Sequence, residues 1–215
     1  PYRKMVLPAH KFAVQVKVKG LQGGHSGDDI NKGRANANKL LNRFLTQLAS
    51  KYILYLCEID GGNLHNAIPR EAQALCAVPM KDKESVRVDL NIYTAELENE
   101  YAATEPNLRT ELSSESPCKE AIDMTTAGHL LRAVYAVHNG VYAMSQDIPG
   151  LVETSSNLAS IKQVEGNKIK IVTSQRSSIL SSRKNMSEMI RSAFLLGGAE
   201  VITGCLLYTS PSPRD

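Results

Sequence analysis

Three short polar stretches hold the residues whose types and spacing could do chemistry. Residues 20–29 read Gly-Leu-Gln-Gly-Gly-His-Ser-Gly-Asp-Asp and place His25 in the densest glycine cluster of the chain. Residues 63–71, Asn-Leu-His-Asn-Ala-Ile-Pro-Arg-Glu, carry Asn66, and residues 174–178, Ser-Gln-Arg-Ser-Ser, carry Arg176. A neutral imidazole, a side-chain amide and a guanidinium are the groups suited to hold an oxyanion, a peptide backbone and a carboxylate. Arginine fits the last role because its planar fork binds a carboxylate through two parallel hydrogen bonds. Glycines serve where φ is positive or where another group approaches the backbone closely, so a histidine among them can be presented to a ligand. A turn that is glycine-rich for steric reasons alone, with a solvated histidine, has the same composition.

Other chemistries lack their motifs. Glycines at 20, 23, 24 and 27 do not form the G-x-G-x-x-G dinucleotide fingerprint, and no G-x-x-x-x-G-K phosphate loop is present. Gly24-His25-Ser26-Gly27-Asp28 has aspartate where a nucleophile elbow needs its last glycine, so Ser26 reads as a helix cap rather than a nucleophile. The five histidines are scattered, with no H-E-x-x-H, H-x-H or H-x-D, and no metal site is assigned to this chain. His129 and His138 read as helix-surface residues, and Glu96, Glu98 and Glu100 as a solvated helix face. No Ser-His-Asp set is singled out.

The elements that must position these groups follow from period. Phe12, Val14, Val16 and Val18 alternate with Ala13, Gln15, Lys17 and Lys19, a half-buried strand over 11–19. After the glycine loop, Ser26 or Asp28 can cap a helix whose stripe is Ala37, Leu40, Leu41, Phe44, Leu45 and Leu48. Residues 52–59 read as a strand apolar on both sides, which implies central burial or a face shared with another subunit. Residues 67–78 read as a strand with Pro69 near its start, 83–102 as a helix, and 107–114 as a strand. Residues 11–116 thus follow the order β-α-β-β-α-β of a ferredoxin-like sandwich. Beyond Ser116-Pro117 come a helix around Leu130, Leu131 and Val134, strands over 151–164 and 168–176, a helix ending at Gly197-Gly198, and a strand start at 199–203. The expected fold class is α+β: two ferredoxin-like βαββαβ-type units, 11–116 and a truncated 117–204, forming an antiparallel sheet with helices on one face.

Composition bounds the rest. The 215 residues carry a net charge of +3 with scattered basic residues, so neither a nucleic-acid stripe nor a polybasic membrane patch stands out, and no apolar run of about 20 residues is present. Nucleic acid and membrane are therefore not expected partners. Four cysteines without a C-x-x-C pair imply no disulfide framework and suit a reducing compartment. No signal or transit peptide opens the chain, which begins at Pro1. Residues 205–215, Cys-Leu-Leu-Tyr-Thr-Ser-Pro-Ser-Pro-Arg-Asp, read as the translation of a sequencing adapter, a non-native tail on a fragment open at both ends.

Taken in register, three segments carry a resemblance. They are Gly-Leu-Gln-Gly-Gly-His-Ser-Gly-Asp-Asp-Ile with Lys-Gly-Arg-Ala-Asn-Ala after it, Asn-Ala-Ile-Pro-Arg-Glu-Ala, and Glu-Thr-Ser-Ser-Asn-Leu-Ala from position 153. Over residues 1–204 the chain resembles the bacterial aminoacyl-histidine, or cytosol non-specific, dipeptidases of the zinc aminoacylase and carboxypeptidase superfamily. The resemblance implies a two-zinc catalytic domain whose ligands and general base lie before and after this segment, with residues 1–10 ending the linker from it. It implies that the segment itself is the inserted lid, which also forms the homodimer of a cytoplasmic dipeptidase. On these positions it implies His25 as an oxyanion-stabilising group offered to the partner's active site, Asn66 as a substrate-backbone contact, and Arg176 as the clamp on the substrate's C-terminal carboxylate. A non-catalytic ferredoxin-like module for oligomerisation or small-ligand sensing has the same elements. An exposed imidazole in the glycine loop discriminates, because an assembly module has no need of it.

Overall fold

The computed structural model describes residues 1–116 and 118–204. The alternating stretch forms β2 (Lys11–Lys19), which buries Phe12, Val14, Val16 and Val18. It pairs antiparallel with β6 (Ala72–Pro79) on one side and β7 (Arg109–Glu115) on the other. β6 continues antiparallel into β4 (Tyr55–Gly61), and β4 into the long β10 (Val152–Val164) through the pairs Gly61–Ile161 and Asp60–Lys162. β10 forms a hairpin with β11 (Lys168–Ser177) around Asn167, which takes φ 53°, and Gly166 at φ 75°. The sheet runs β11-β10-β4-β6-β2-β7, with β9 (Gly140–Met144) also on β10.

Central burial explains the two-sided apolar pattern of β4. Leu56 and Ile59 join the core under the helices, while Tyr55 and Cys57 face Ala77 and Ala121 on the opposite side. That opposite cluster is covered by a small pair, β1 (Lys4–Val6) with β8 (Glu120–Ile122). The helices α1 (Ala37–Lys51), α2 (Lys83–Glu100) and α3 (Met124–Ala136) bury their stripes in one core with β2, β4, β6 and β10. Full burial of Leu41, Phe44, Leu45 and Leu48 contributes about 1.5–3 kcal/mol each. The last helix, α4 (Leu180–Leu196), packs Met186, Ile190 and Phe194 on α3 and Ile171 of β11.

The structure corrects several expectations. α1 begins at Ala37 and is capped by Asn36, whose side chain accepts from the Asn38 and Lys39 N–H groups; neither Ser26 nor Asp28 caps it. Residues 26–33 form turns, and Gly33 at φ 68° stands outside any helical run. The expected strand over 67–78 is two strands, because Pro69-Arg70-Glu71 breaks it: β5 (Ala67–Ile68) leaves the main sheet, and β6 rejoins it. Residues 199–203 form no strand. The second half runs β8-α3-β9-β10-β11-α4 rather than repeating β-α-β-β-α-β; β9, β10 and β11 extend the same sheet, while β8 pairs with β1 apart from it. β1, β8 and β9 carry no period of their own; they exist through their partners.

Cysteine chemistry also differs. Cys57 of β4 and Cys118, just before β8, are joined by a disulfide, and Cys76 is buried and free. Sixty-one residues separate the pair, with no spacing that marks them; only the docking of β8 against β4 does. The adapter-like stretch 205–215 lies outside the described residues. No helix of the described residues is long and apolar enough to cross a membrane.

Candidate functional site

His25 is not on a free loop. With Gly24 it forms β3 (Gly24–His25), which pairs antiparallel with β5 so that Gly24 faces Ile68 and His25 faces Ala67. The next rung is the Ser26 N–H donating to the Asn66 carbonyl at 2.8 Å. Two of the three sequence candidates are therefore neighbours across one short ladder. The third arrives from β11. The point where a side chain on Gly27 would begin lies 3.2 Å from His25 Cε1 and 3.3 Å from Arg176 Nη1. Gly27 leaves the gap that the imidazole and the guanidinium share.

The loop's shape has identifiable causes. Gly20, Gly23 and Gly24 take φ of 78°, 60° and 140°, conformations that L side chains rarely adopt. A side chain on Gly24 would also run into Asp29 and Arg34, which pair beneath it at 3.2 Å. Asp29 is the inner post: one carboxylate oxygen accepts from the His25 backbone N–H at 2.8 Å, the other from Lys32 Nζ at 2.6 Å. Its hydrogen bond to Lys32, then the His25 N–H, then the Arg34 charge lower its pKa to about 2. Arg34 in turn donates to the Gly23 carbonyl.

The loop's two ends meet at one buried carboxylate. Glu105 is 3% exposed, and its oxygens accept the backbone N–H of Gln22 at 2.7 Å and of Ala35 at 2.9 Å. A second buried set joins the small ladder to the main sheet. Asn157 of β10 donates from Nδ2 to the Ala67 carbonyl at 2.8 Å, and its Oδ1 accepts from Asn36 Nδ2 at 3.3 Å. Asn36 Nδ2 also reaches Asn139 Oδ1 and the Leu158 carbonyl at 2.9 Å each. One turn into α1, Lys39 Nζ donates to the carbonyls of Val134, Tyr135 and Val137 at 2.8, 2.9 and 2.9 Å, closing the C-terminus of α3. Burial pushes its pKa down to about 8.

What the arrangement can do follows from donors. The His25 side chain is 38% exposed, so a ligand can reach it. The Asp28 backbone N–H, which can only donate, approaches His25 Nδ1 at 3.3 Å. Asp28 Oδ2, an acceptor, lies nearer the same Nδ1 at 2.9 Å. Nε2 offers a donor in the neutral tautomer whose Nδ1 accepts and in the doubly protonated ring, whose Nδ1–H faces Asp28. Arg176 Nε, Ser174 Oγ and Ser26 Oγ are buried without a hydrogen-bond partner among the described residues. The exposed His25 imidazole and the Arg176 guanidinium beside Gly27 are groups suited to anion and carbonyl recognition.

Ser26 was expected as a cap and instead is 1% exposed beneath the site. His138 lies just beyond the end of α3, half-buried, with its Nε2 3.1 Å from the Val141 carbonyl. Sequence reading missed Glu105, Asn36, Asn139 and Asn157 as supports. Asn36 and Asn157 had a signal, their places in the Lys-Gly-Arg-Ala-Asn-Ala and Glu-Thr-Ser-Ser-Asn-Leu-Ala segments; Glu105 and Asn139 had none. Among the described residues no three His, Cys, Asp or Glu side chains converge so as to hold a metal ion.

Residues 16–105 match the model of the peptidase dimerisation domain. The chain is 38% identical over 194 residues to the cytosol non-specific dipeptidase of Escherichia coli (strain K12), a match that covers 90% of this chain and 40% of that protein. It superposes on the crystal structure of aminoacylhistidine dipeptidase from Vibrio alginolyticus with a TM-score of 0.89 at 37% identity, covering 93% of this chain and 40% of that one. The chain thus spans 40% of the length of each of these two proteins. With a shared fold, substantial identity along nearly its whole length and the dimerisation-domain match, it is a homologue of the cytosol non-specific and aminoacylhistidine dipeptidases.

Proposed function

We propose that this chain is the lid and dimerisation domain of a cytoplasmic, zinc-dependent dipeptidase that hydrolyses Xaa-His and other dipeptides as a homodimer. The observation that carries the reading is the approach of His25 and Arg176, from separate stretches, to the gap at Gly27, with the Asn66 backbone bonded to neighbouring Ser26. In this reading Arg176 clamps the dipeptide's C-terminal carboxylate and Asn66 contacts its backbone. His25 Nε2–H stabilises the oxyanion that develops at the scissile carbonyl of the partner subunit's active site. Residues 1–10 end the linker from the catalytic domain, and residues 11–116 and 117–204 are the two units of the lid. The order β2-α1-β4-β6-α2-β7, with spatial order β4-β6-β2-β7, supports a ferredoxin-like first unit.

Among the described residues no set of His, Cys, Asp or Glu side chains fits zinc. The parent's two zinc ions would be held by residues outside it, and the chain by itself is expected to be inactive.

The test is complementation in the full-length enzyme. Subunits bearing His25→Ala are mixed with subunits inactivated at the zinc site. Heterodimers should regain activity, because one of their two sites combines intact metal from one chain with intact His25 from the other. Mixtures that exchange subunits yet stay as inactive as the parent variants would overturn the reading.

A further inference from the structure

The Glu-Thr-Ser-Ser-Asn-Leu-Ala segment of β10 shares the family likeness, yet none of its residues has a part in the site as proposed. Its place in the fold points to one. The β3–β5 ladder that carries His25 is two residues long on each side, too short to hold its own position. Arg176, by contrast, sits on the main sheet, where β11 pairs with β10 and Arg176 faces Ser155. The distance between imidazole and guanidinium therefore depends on what ties the small ladder to β10. Asn157 is such a tie, two residues along β10 from Ser155. It is 1% exposed, and its amide donates to the carbonyl of Ala67, the register partner of His25.

The tie is held at its other end. Asn157 Oδ1 accepts from Asn36, and Asn36 is fixed by capping α1 and by the Leu158 carbonyl. The 2.8 Å bond to Ala67 is the stronger tie; the Asn36 NH2, which has two hydrogens, also faces the Asn139 and Leu158 oxygens at 2.9 Å and meets Asn157 at the longer 3.3 Å. An apolar residue of similar size would fill the space but leave the Ala67 carbonyl without this donor.

We infer that Asn157 is a positioning residue that fixes the His25 strand relative to the Arg176 clamp, so that a substrate held by its C-terminal carboxylate presents its carbonyl to His25. This rests on the function proposed above. A substrate that does not use Arg176, such as a dipeptide amide, gains nothing from that alignment.

The experiment compares an Xaa-His dipeptide with its C-terminal amide on the full-length enzyme carrying Asn157→Ala. The ratio of kcat/KM for acid over amide should fall about ten- to a hundredfold, mainly through kcat, as expected for misplacement by about 1 Å. A merely structural loss would lower both substrates equally and leave the ratio intact, which would overturn the inference. Asn157→Ser, whose hydroxyl is too short to span the gap, serves should Asn157→Ala not fold, and the same ratio decides. Arg176→Ala is the control. If it collapses the ratio and the Asn157 variants do not, this inference alone fails; if it leaves the ratio unchanged, the clamp reading fails and the inference with it.

Discussion

His25 and Arg176 meet at a residue that has no side chain: His25 Cε1 and Arg176 Nη1 lie 3.2 and 3.3 Å from where a Gly27 Cβ would stand. One element is a two-residue strand and the other a long hairpin arm from the far end of the chain. Their meeting gives the first test. Gly27 has no positive φ, so alanine is compatible with its backbone, and the added methyl enters only the gap between the two groups. Gly27→Ala should leave the unfolding midpoint close to that of the parent. In the full-length enzyme it should lower kcat/KM about tenfold, or about 1.4 kcal/mol of transition-state stabilisation. Full activity would show that the gap is not where the substrate is held.

The two groups should fail differently. His25→Ala removes a donor to charge that develops in the transition state and should lower kcat with little change in KM. The loss should correspond to about 2.7–4 kcal/mol. Arg176→Lys keeps the charge but loses the fork, so its effect should be a raised KM for substrates with a free C-terminal carboxylate. Steady-state kinetics on both variants checks the contrast.

Glu105 sets both ends of the loop. Glu105→Ala leaves the N–H groups of Gln22 and Ala35 without their acceptor, at about 1–3 kcal/mol for each buried donor. Glu105→Gln keeps one acceptor and turns an NH2 toward the other N–H. Denaturant unfolding should place both variants below the parent, with alanine the lower. Faster amide exchange at Gln22 and Ala35 would locate the damage in the loop.

Asp29 makes the loop acid-sensitive in a definite direction. Its folded pKa is depressed to about 2 by Lys32, the His25 N–H and Arg34. The sign is that of a depressed acid: its stabilising contribution is present above the ordinary aspartate value, about 3.9, and is lost as pH falls toward 2. Exchange of the His25 amide should accelerate across that window. Asp29→Asn should remove the acid step, so an unchanged step in the variant would assign it to another group.

The sequence by itself determined most of the elements and their inward faces, because burial of one face imposes a local period. The alternation of Phe12, Val14, Val16 and Val18, and the stripe Leu40, Leu41, Phe44, Leu45 and Leu48, are read in windows of a few residues and recur in the core. The glycine cluster likewise marked where the backbone would take positive φ and where His25 would stand. Tertiary structure alone decided how far α1 extends toward its N-terminus, since Asp29, Glu105 and Gly33 hold residues 26–33 in turns. It alone formed β1, β8 and β9, which have partners but no period, and paired Cys57 with Cys118. It also brought Arg176 to His25 and made supports of Glu105 and Asn157. The reason is common to all of these: a contact between residues far apart in the chain leaves no periodic trace in either segment, and its geometry exists only once the sheet has set both in register.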